Sequence, residues 1–330
     1  MSRNREHVEG APGTAVRITT GEALITGARP RGRVRAATAL LGLGLAFAAL
    51  AGGPGLATAD AAKAPKRVVT LTPFTSNVTA RLGVRPIAVG AGYNYIPAVA
   101  GLRGVPRLKL SHPAGPNLET LIRMKPDLVL SSANWRSGSA SIRRQRIAVV
   151  DNLEPFRVQH VSPAVRRIAT RLGKSQASAN RLIKQIDARI RASKAGIRSR
   201  PSVLVVLGVG RNTVAFLPNS WGGDVVSAAG GRLLTQGMKA TFSAGTPGSF
   251  APISDEEVLR RNPDVIIVVP HGNQSSIPSI QKFFRNKVGW KPTKAARNKR
   301  IYVADPDRLL QASEDPGATI AWVRRSFLRN

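Results

Sequence analysis

Residues 117–130 read Asn-Leu-Glu-Thr-Leu-Ile-Arg-Met-Lys-Pro-Asp-Leu-Val-Leu, and residues 254–269 read Ser-Asp-Glu-Glu-Val-Leu-Arg-Arg-Asn-Pro-Asp-Val-Ile-Ile-Val-Val. Offset by 137 positions, Glu119 falls on Glu256, Arg123 on Arg260, Pro126 on Pro263 and Asp127 on Asp264. Each copy opens on a capping residue, Asn117 or Ser254, and places an acid in the first helical turn, where the positive end of the helix favours it. Each helix stops ahead of a proline, because the residue before proline avoids the α region. An unbroken apolar run follows, as in a strand buried on both faces. Helix, Pro-Asp and buried strand make one unit of a parallel α/β layer. Two copies predict two similar lobes with a cleft between them.

The chain has 330 residues, enough for two domains, and 42% of it is apolar. It has no cysteine, which excludes disulfides, thiolate chemistry, cysteine metal sites and a lipid-bearing cysteine. The net charge is +32, with the basic residues spread along the chain and dense only at Arg143-Arg144-Gln145-Arg146 and Lys294–Arg300. That spread reads as a uniformly basic surface, suited to anionic ligands and acidic envelope polymers, and no nucleic-acid partner is expected.

Residues 1–35 are polar and without apolar period, and read as unstructured or as preceding the true start. Arg29, Arg31, Arg33 and Arg35 precede the apolar run Ala36–Ala51, which Gly52, Gly53 and Pro54 end; Ala57-Thr58-Ala59 follows as a small-x-small cleavage pattern. Together these make a secretory signal peptide. The run is short of the roughly 20 residues a membrane span needs, an uncleaved anchor being the other reading. The organisation expected is an extension with signal over 1–61, an α/β lobe over 64–160, a helical segment over 161–198 and a second α/β lobe over 199–330. In the first lobe, strands are expected at Lys66–Pro73, Pro86–Gly90 and Ile147–Val150, a helix over 75–82, and irregular chain over 94–116 and Ser131–Gly138. Val165, Ile168, Leu172, Leu182, Ile183, Ile186 and Ile190 recur at three- and four-residue spacing, predicting two helices parted at Gly173, the second bridging the lobes. In the second lobe, Val203–Leu207 and Ile301–Ala304 read as strands, Asp224–Ala229 and Pro316–Leu328 as helices. Gly208-Val209-Gly210 lacks the third glycine of a dinucleotide turn, Thr213 standing there.

Arg67-Val68-Val69-Thr70-Leu71-Thr72-Pro73 with Leu82-Gly83 behind it, Ala229-Gly230-Gly231, and the two repeat copies stand in an order and spacing that resembles one family. It is the substrate-binding proteins of ABC importers for ferric siderophores, haem or cobalamin, and the likeness runs over about residues 64–328. The resemblance implies an α/β fold of two Rossmann-like lobes with parallel sheets joined by a single long helix. It implies a ligand held between the lobes, binding without catalysis, no cofactor of the protein's own, and the importer's permease and ATPase subunits as partners. It also implies that Glu119 and Glu256 dock onto permease arginines; the residues themselves read equally well as first-turn acids, and Ser254 with Glu257 fits a capping box. Asp127 and Asp264 read as turn formers with one structural job in both lobes. The chain departs from the family at Asn77, where an acid is common, in having no cysteine for a lipid anchor, and in its positive charge. A free periplasmic or envelope-associated protein follows, touching the membrane only through the permease or an uncleaved N-terminus.

Ligands of such α/β lobes meet the loops at the carboxyl ends of the strands. That rule selects Phe74, Tyr93, Tyr95, Trp135 and Arg136 in the first lobe, and Arg211, Trp221, Phe250 and His271 in the second. Aromatic faces suit flat conjugated ligands, and arginine forks suit anionic chelates. For haem, Tyr93, Tyr95, His112 and His271 are the candidate axial ligands. No His/Asp/Glu cluster has metal-site spacing, and no Ser/His/Asp grouping or G-x-S-x-G is present. The alternative is an envelope-associated basic protein of the same fold that binds acidic polymers.

Overall fold

The computed structural model describes residues 64–91, 99–209, 212–240, 248–270 and 277–329; the signal segment, Tyr93, Asn94, Tyr95, Arg211 and His271 lie outside the described residues. The first lobe runs β1 (Val68–Thr70), α1 (Pro73–Arg81), β2 (Ala88–Ala91), β3 (Arg107–Ser111), β4 (Gly115–Pro116), α2 (Leu118–Arg123), β5 (Leu128–Leu130), α3 (Arg136–Arg144) and β6 (Ala148–Val150). Its sheet has the order β4-β3-β2-β1-β5-β6, parallel throughout except for the β3–β4 pair. The chain then crosses through α4 (Val161–Arg171) and α5 (Gln176–Lys194). The second lobe contains β7 (Ser202–Val209), β8 (Asn212–Phe216), α6 (Trp221–Ala228), β9 (Arg232–Leu233), β10 (Phe250–Pro252), α7 (Asp255–Arg261) and β11 (Val265–Pro270). It closes with α8 (Ile277–Arg285), α9 (Lys294–Arg297), β12 (Ile301–Val303), α10 (Pro306–Leu309), α11 (Pro316–Val323) and a π-helical turn over Arg324–Leu328. Its sheet has the order β10-β8-β7-β11-β12, with β9 also on β7.

The repeat is α2–β5 in one lobe and α7–β11 in the other. Asn117 accepts the Thr120 N–H at 2.9 Å, and Ser254 accepts the Glu257 N–H at 3.2 Å, so both caps form. The matched aspartates do matched work. Asp127 accepts the N–H groups of Lys66 and Arg67 at 2.7 and 2.9 Å. Asp264 accepts the Ser202 N–H at 2.8 Å and its hydroxyl at 2.7 Å. Each carboxylate therefore pins the entry of its lobe's first strand beside the repeated strand, where the preceding proline has no N–H to offer.

Burial would raise the Asp264 carboxyl, but bonds from the Ser202 hydroxyl and N–H, with Lys294 and Arg232 nearby, outweigh it and hold it below the ordinary value. A depressed carboxyl contributes stability above its unfolded value, about 3.9, and loses it as pH falls through the folded value. Asp264→Asn is therefore expected to lower stability at pH 7 and to flatten the acid limb of a urea-midpoint-against-pH curve.

Strand residues alternate between cores, as the period of two requires. Val203, Val205 and Leu207 of β7, with Val265, Ile267 and Val269 of β11, face the shared core, while Leu204, Val206, Ile266 and Val268 face the outer one. In the first lobe Val68, Leu128 and Leu130 face the shared core and Val69 and Val129 the outer one. The shared core also takes Val165 and Ile168 of α4, Leu182 and Ile186 of α5, and Ile320 and Val323 of α11. At 1.5 Å per residue, the 19 residues of α5 make a strut of about 28 Å.

Four segments differ from the sequence expectation. Residues 94–116 hold the β3–β4 hairpin, and the loop expected over 131–138 is interrupted by α3. Ser220 caps α6 through the Gly223 N–H at 3.1 Å, so that helix starts at Trp221 rather than Asp224. The second sheet is mixed, with β8 and β10 antiparallel.

Candidate functional site

In the first sheet β1 lies between β2 and β5, the crossover connections running to opposite sides; the crevice of such a sheet opens beyond the carboxyl ends at that reversal. The chain leaving β1 and β5 there is polar. Thr72 caps α1 by accepting the Thr75 N–H at 3.2 Å, with Pro73 at the first helical position, where no N–H is needed. The Thr70 and Ser76 hydroxyls lie 2.7 Å apart, and Ser139 donates to the Ser131 hydroxyl at 3.1 Å. Ser132 caps the short turn Ala133–Trp135 and donates to Glu154 Oε2 at 2.6 Å.

That turn presents a half-buried Trp135 and an exposed Arg136. The Trp135 ring meets His112 edge to face at a centroid distance of 5.8 Å. His112 reaches it from the β3–β4 hairpin, which lies hard against α3: a Cβ on Gly138 would sit 1.6 Å from the Ala114 carbonyl oxygen. Only glycine permits that approach. Glu154 is half-buried past the end of β6; burial pushes its carboxyl above the ordinary range, and the Ser132 bond offsets part of this.

In the second lobe β7 and β11 end at Val209 and Pro270, and the segments after them, with Arg211 and His271, lie outside the described residues. Beyond β12, burial, with the Asp305 charge second, pushes the Asp307 carboxyl up to about 6. Polar contacts also tie the lobes. Asn77 Nδ2 of α1 donates to Glu314 Oε2, ahead of α11, at 2.9 Å, both side chains being buried. Asp224 of α6 pairs with Arg157 at 3.1 Å and accepts the Val158 N–H at 2.7 Å. Asn77, where the resemblance leads one to expect an acid, is thus one end of a bond between lobes.

Of the selected ligand contacts, Trp135 and Arg136 lie together at the rim. Phe74, Trp221 and Phe250 are buried in the shared core. The Trp221 indole donates to the Arg308 carbonyl at 3.1 Å, and Phe250 meets Phe216 edge to face at 4.8 Å. Glu154, Ser132 and Glu314 were not selected from sequence; their partners lie 22, 22 and 237 positions away, and no local pattern marks them. Glu119 and Glu256 stand exposed in the first turns of α2 and α7. A bond from the Ser254 side chain lowers the Glu256 carboxyl, while Arg260 and Arg261 hold Glu257 down at about 2. Among the described residues no group of three or more His, Cys, Asp or Glu side chains could hold a metal ion.

The profile of the periplasmic binding protein family matches residues 68–308. The chain belongs to that family. Among curated proteins it is similar to the high-affinity heme uptake system protein IsdE of Staphylococcus aureus strain MRSA252, at 25% identity over 202 residues, 59% of this chain. The match spans 65% of that relative's length. Among solved structures, an ABC transporter substrate-binding protein from Listeria monocytogenes EGD-e superposes with a TM-score of 0.69 at 20% identity, over 81% of this chain and 100% of its own. S. aureus IsdE complexed with heme gives 0.65 at 21% identity, over 80% and 99%. The vitamin B12 binding protein BtuF of Vibrio cholerae gives 0.58 at 15%, over 79% and 96%. At these identities the structural likeness is one of fold, and it is the two-lobe fold of this periplasmic binding protein. No helix among its described residues is long and apolar enough to cross a membrane.

Proposed function

We propose that this periplasmic binding protein is the extracytoplasmic solute-binding component of an ABC importer. It captures a metal chelate (a ferric siderophore, haem or cobalamin) between its lobes and hands it to the permease through Glu119 and Glu256. The observation that carries the reading is the cluster of His112, Trp135 and Arg136 at the carboxyl-end rim of the first sheet. An aromatic face suits a conjugated ligand, the guanidinium beside it suits a carboxylate or a charged chelate, and the +32 charge draws anions in. The heme-uptake relative supports the same class. Capture needs little lobe motion, since α5 and the buried Asn77–Glu314 bond hold the lobes together.

The experiment is a calorimetric titration of residues 62–330 with hemin, ferric siderophores and cobalamin. One ligand is expected to bind one per chain. A Trp135→Ala, Arg136→Ala variant is expected to bind at least about tenfold more weakly, the loss typical of a stacking group and a charge-assisted bond together. Equal affinity in the variant would remove this rim from the site. No binding across the panel, together with salt-sensitive adhesion to acidic polymers, would favour the adhesion reading.

A further inference from the structure

Among the described residues, the exposed large apolar side chains are Ile122, Phe156, Leu259, Phe283 and Val288. Single exposed apolar residues are ordinary on any protein. Two of these are set apart by position: Ile122 and Leu259 differ by the same 137 positions as Glu119 and Glu256. Each stands three residues after its glutamate, one turn along the same helix face. They are 38% and 42% exposed, although α2 and α7 are short and each buries one large apolar side chain, Leu121 or Val258.

The acids beside them are as distinctive. The chain has 50 basic residues and 18 acidic ones. The exposed carboxylates among the described residues are Glu119, Asp127, Glu256 and Asp305. Asp127 accepts backbone N–H groups and Asp305 pairs with Arg308, whereas Glu119 and Glu256 have no ion pair among the described residues. In the second lobe, Lys287 binds Asp255 Oδ1 at 2.8 Å beneath the rings of Phe283, Phe284 and Trp290. That anchor fixes the Val288–Trp290 turn against α7 and sets Val288, 77% exposed, next to the helix bearing Glu256.

We propose that Ile122 and Leu259 are apolar anchors that seat beside Glu119 and Glu256 in two equivalent sockets of the permease, each socket pairing a cation with an apolar pit. The inference rests on the docking reading and adds the anchors to it. Charge complementarity selects the occupant: an anionic membrane or polymer would repel the two acids, whereas a partner with paired basic sockets accepts both. The repetition across lobes calls for a partner with two matching sites. A few side chains that fill desolvated pockets, ringed by contacts that exclude water, carry most of an interface's binding energy.

The test is binding of the mature chain to the source cell's permease–ATPase complex in phosphatidylcholine nanodiscs, with empty nanodiscs as the blank. Ile122→Ser with Leu259→Ser is expected to weaken binding at least about tenfold, as loss of central anchors does, with thermal midpoint and ligand affinity unchanged. Glu119→Gln with Glu256→Gln weakens it as well. If the serine variant binds like wild type while the glutamine variant does not, the anchors are overturned and the acid docking stands. If both bind like wild type, or the wild type itself does not bind, the docking reading falls with them. Ile122→Leu with Leu259→Ile is expected to restore binding, which separates an apolar role from loss of local structure.

Discussion

Replacing Glu119 and Glu256 together by alanine is expected to leave ligand affinity within about twofold of wild type and to cut uptake at least about tenfold, two charge-assisted contacts being worth about 1.5–3 kcal/mol each. The two acids lie on different lobes, exposed, in the first turns of α2 and α7, and neither is among the candidate ligand contacts. Neither makes an ion pair among the described residues, so their loss should cost the protein little stability. The measurement is uptake of the radiolabelled chelate by cells lacking their own copy and secreting equal amounts of each variant. Each single variant should fall between wild type and the double. Uptake by the double variant equal to wild type would sink the docking role and leave the acids as helix-terminus charges.

Phe74→Ala is expected to lower stability by about 3–5 kcal/mol, the usual cost of emptying a large buried aromatic site. Phe74 is fully buried in the shared core with Val78, Leu82 and the α4 side chains, although it stands at the second position of α1, one turn from the crevice. Phe74→Leu should cost less than about 1.5 kcal/mol, since it keeps most of the volume. Urea unfolding distinguishes this role from that of an exposed ligand contact. A contact in the cleft would lose affinity on truncation with little change in the unfolding midpoint.

The repeat was legible because every part of it is a local rule: a cap, an acid in the first turn, a proline stop and a buried run. Those rules place α2, β5, α7 and β11, and with them the two lobes. The helical stretch with α4 and α5 was legible from its spacing alone. The hairpin of β3 and β4 was not, because Pro106, Pro113 and Pro116 bracket it and read as breakers; an edge position tolerates them. The start of α3 was hidden by Ser137, Gly138 and Ser139, weak helix formers whose small size is what lets the helix press against Ala114. Strand-end rules selected Trp135 and Arg136, which the fold places together at the rim, and equally Phe74, Trp221 and Phe250, which packing draws into the core. A sequence position after a strand says where the backbone goes, and the side chain's direction is decided by neighbours far along the chain. Asn77 is the sharpest case: it was noticed as a missing acid, and its partner Glu314 lies 237 residues away.

The central claim is that the cleft between the lobes captures one metal chelate, and a tryptophan-fluorescence titration of residues 62–330 tests it most directly. Trp221 and Trp290 are buried and Trp322 packs on Phe327 and Arg308, so a ligand at the rim should quench Trp135. The account predicts saturable quenching at one equivalent of hemin, a ferric siderophore or cobalamin, with most of the amplitude lost in Trp135→Phe. Quenching that never saturates, or that is unchanged in Trp135→Phe, would contradict it.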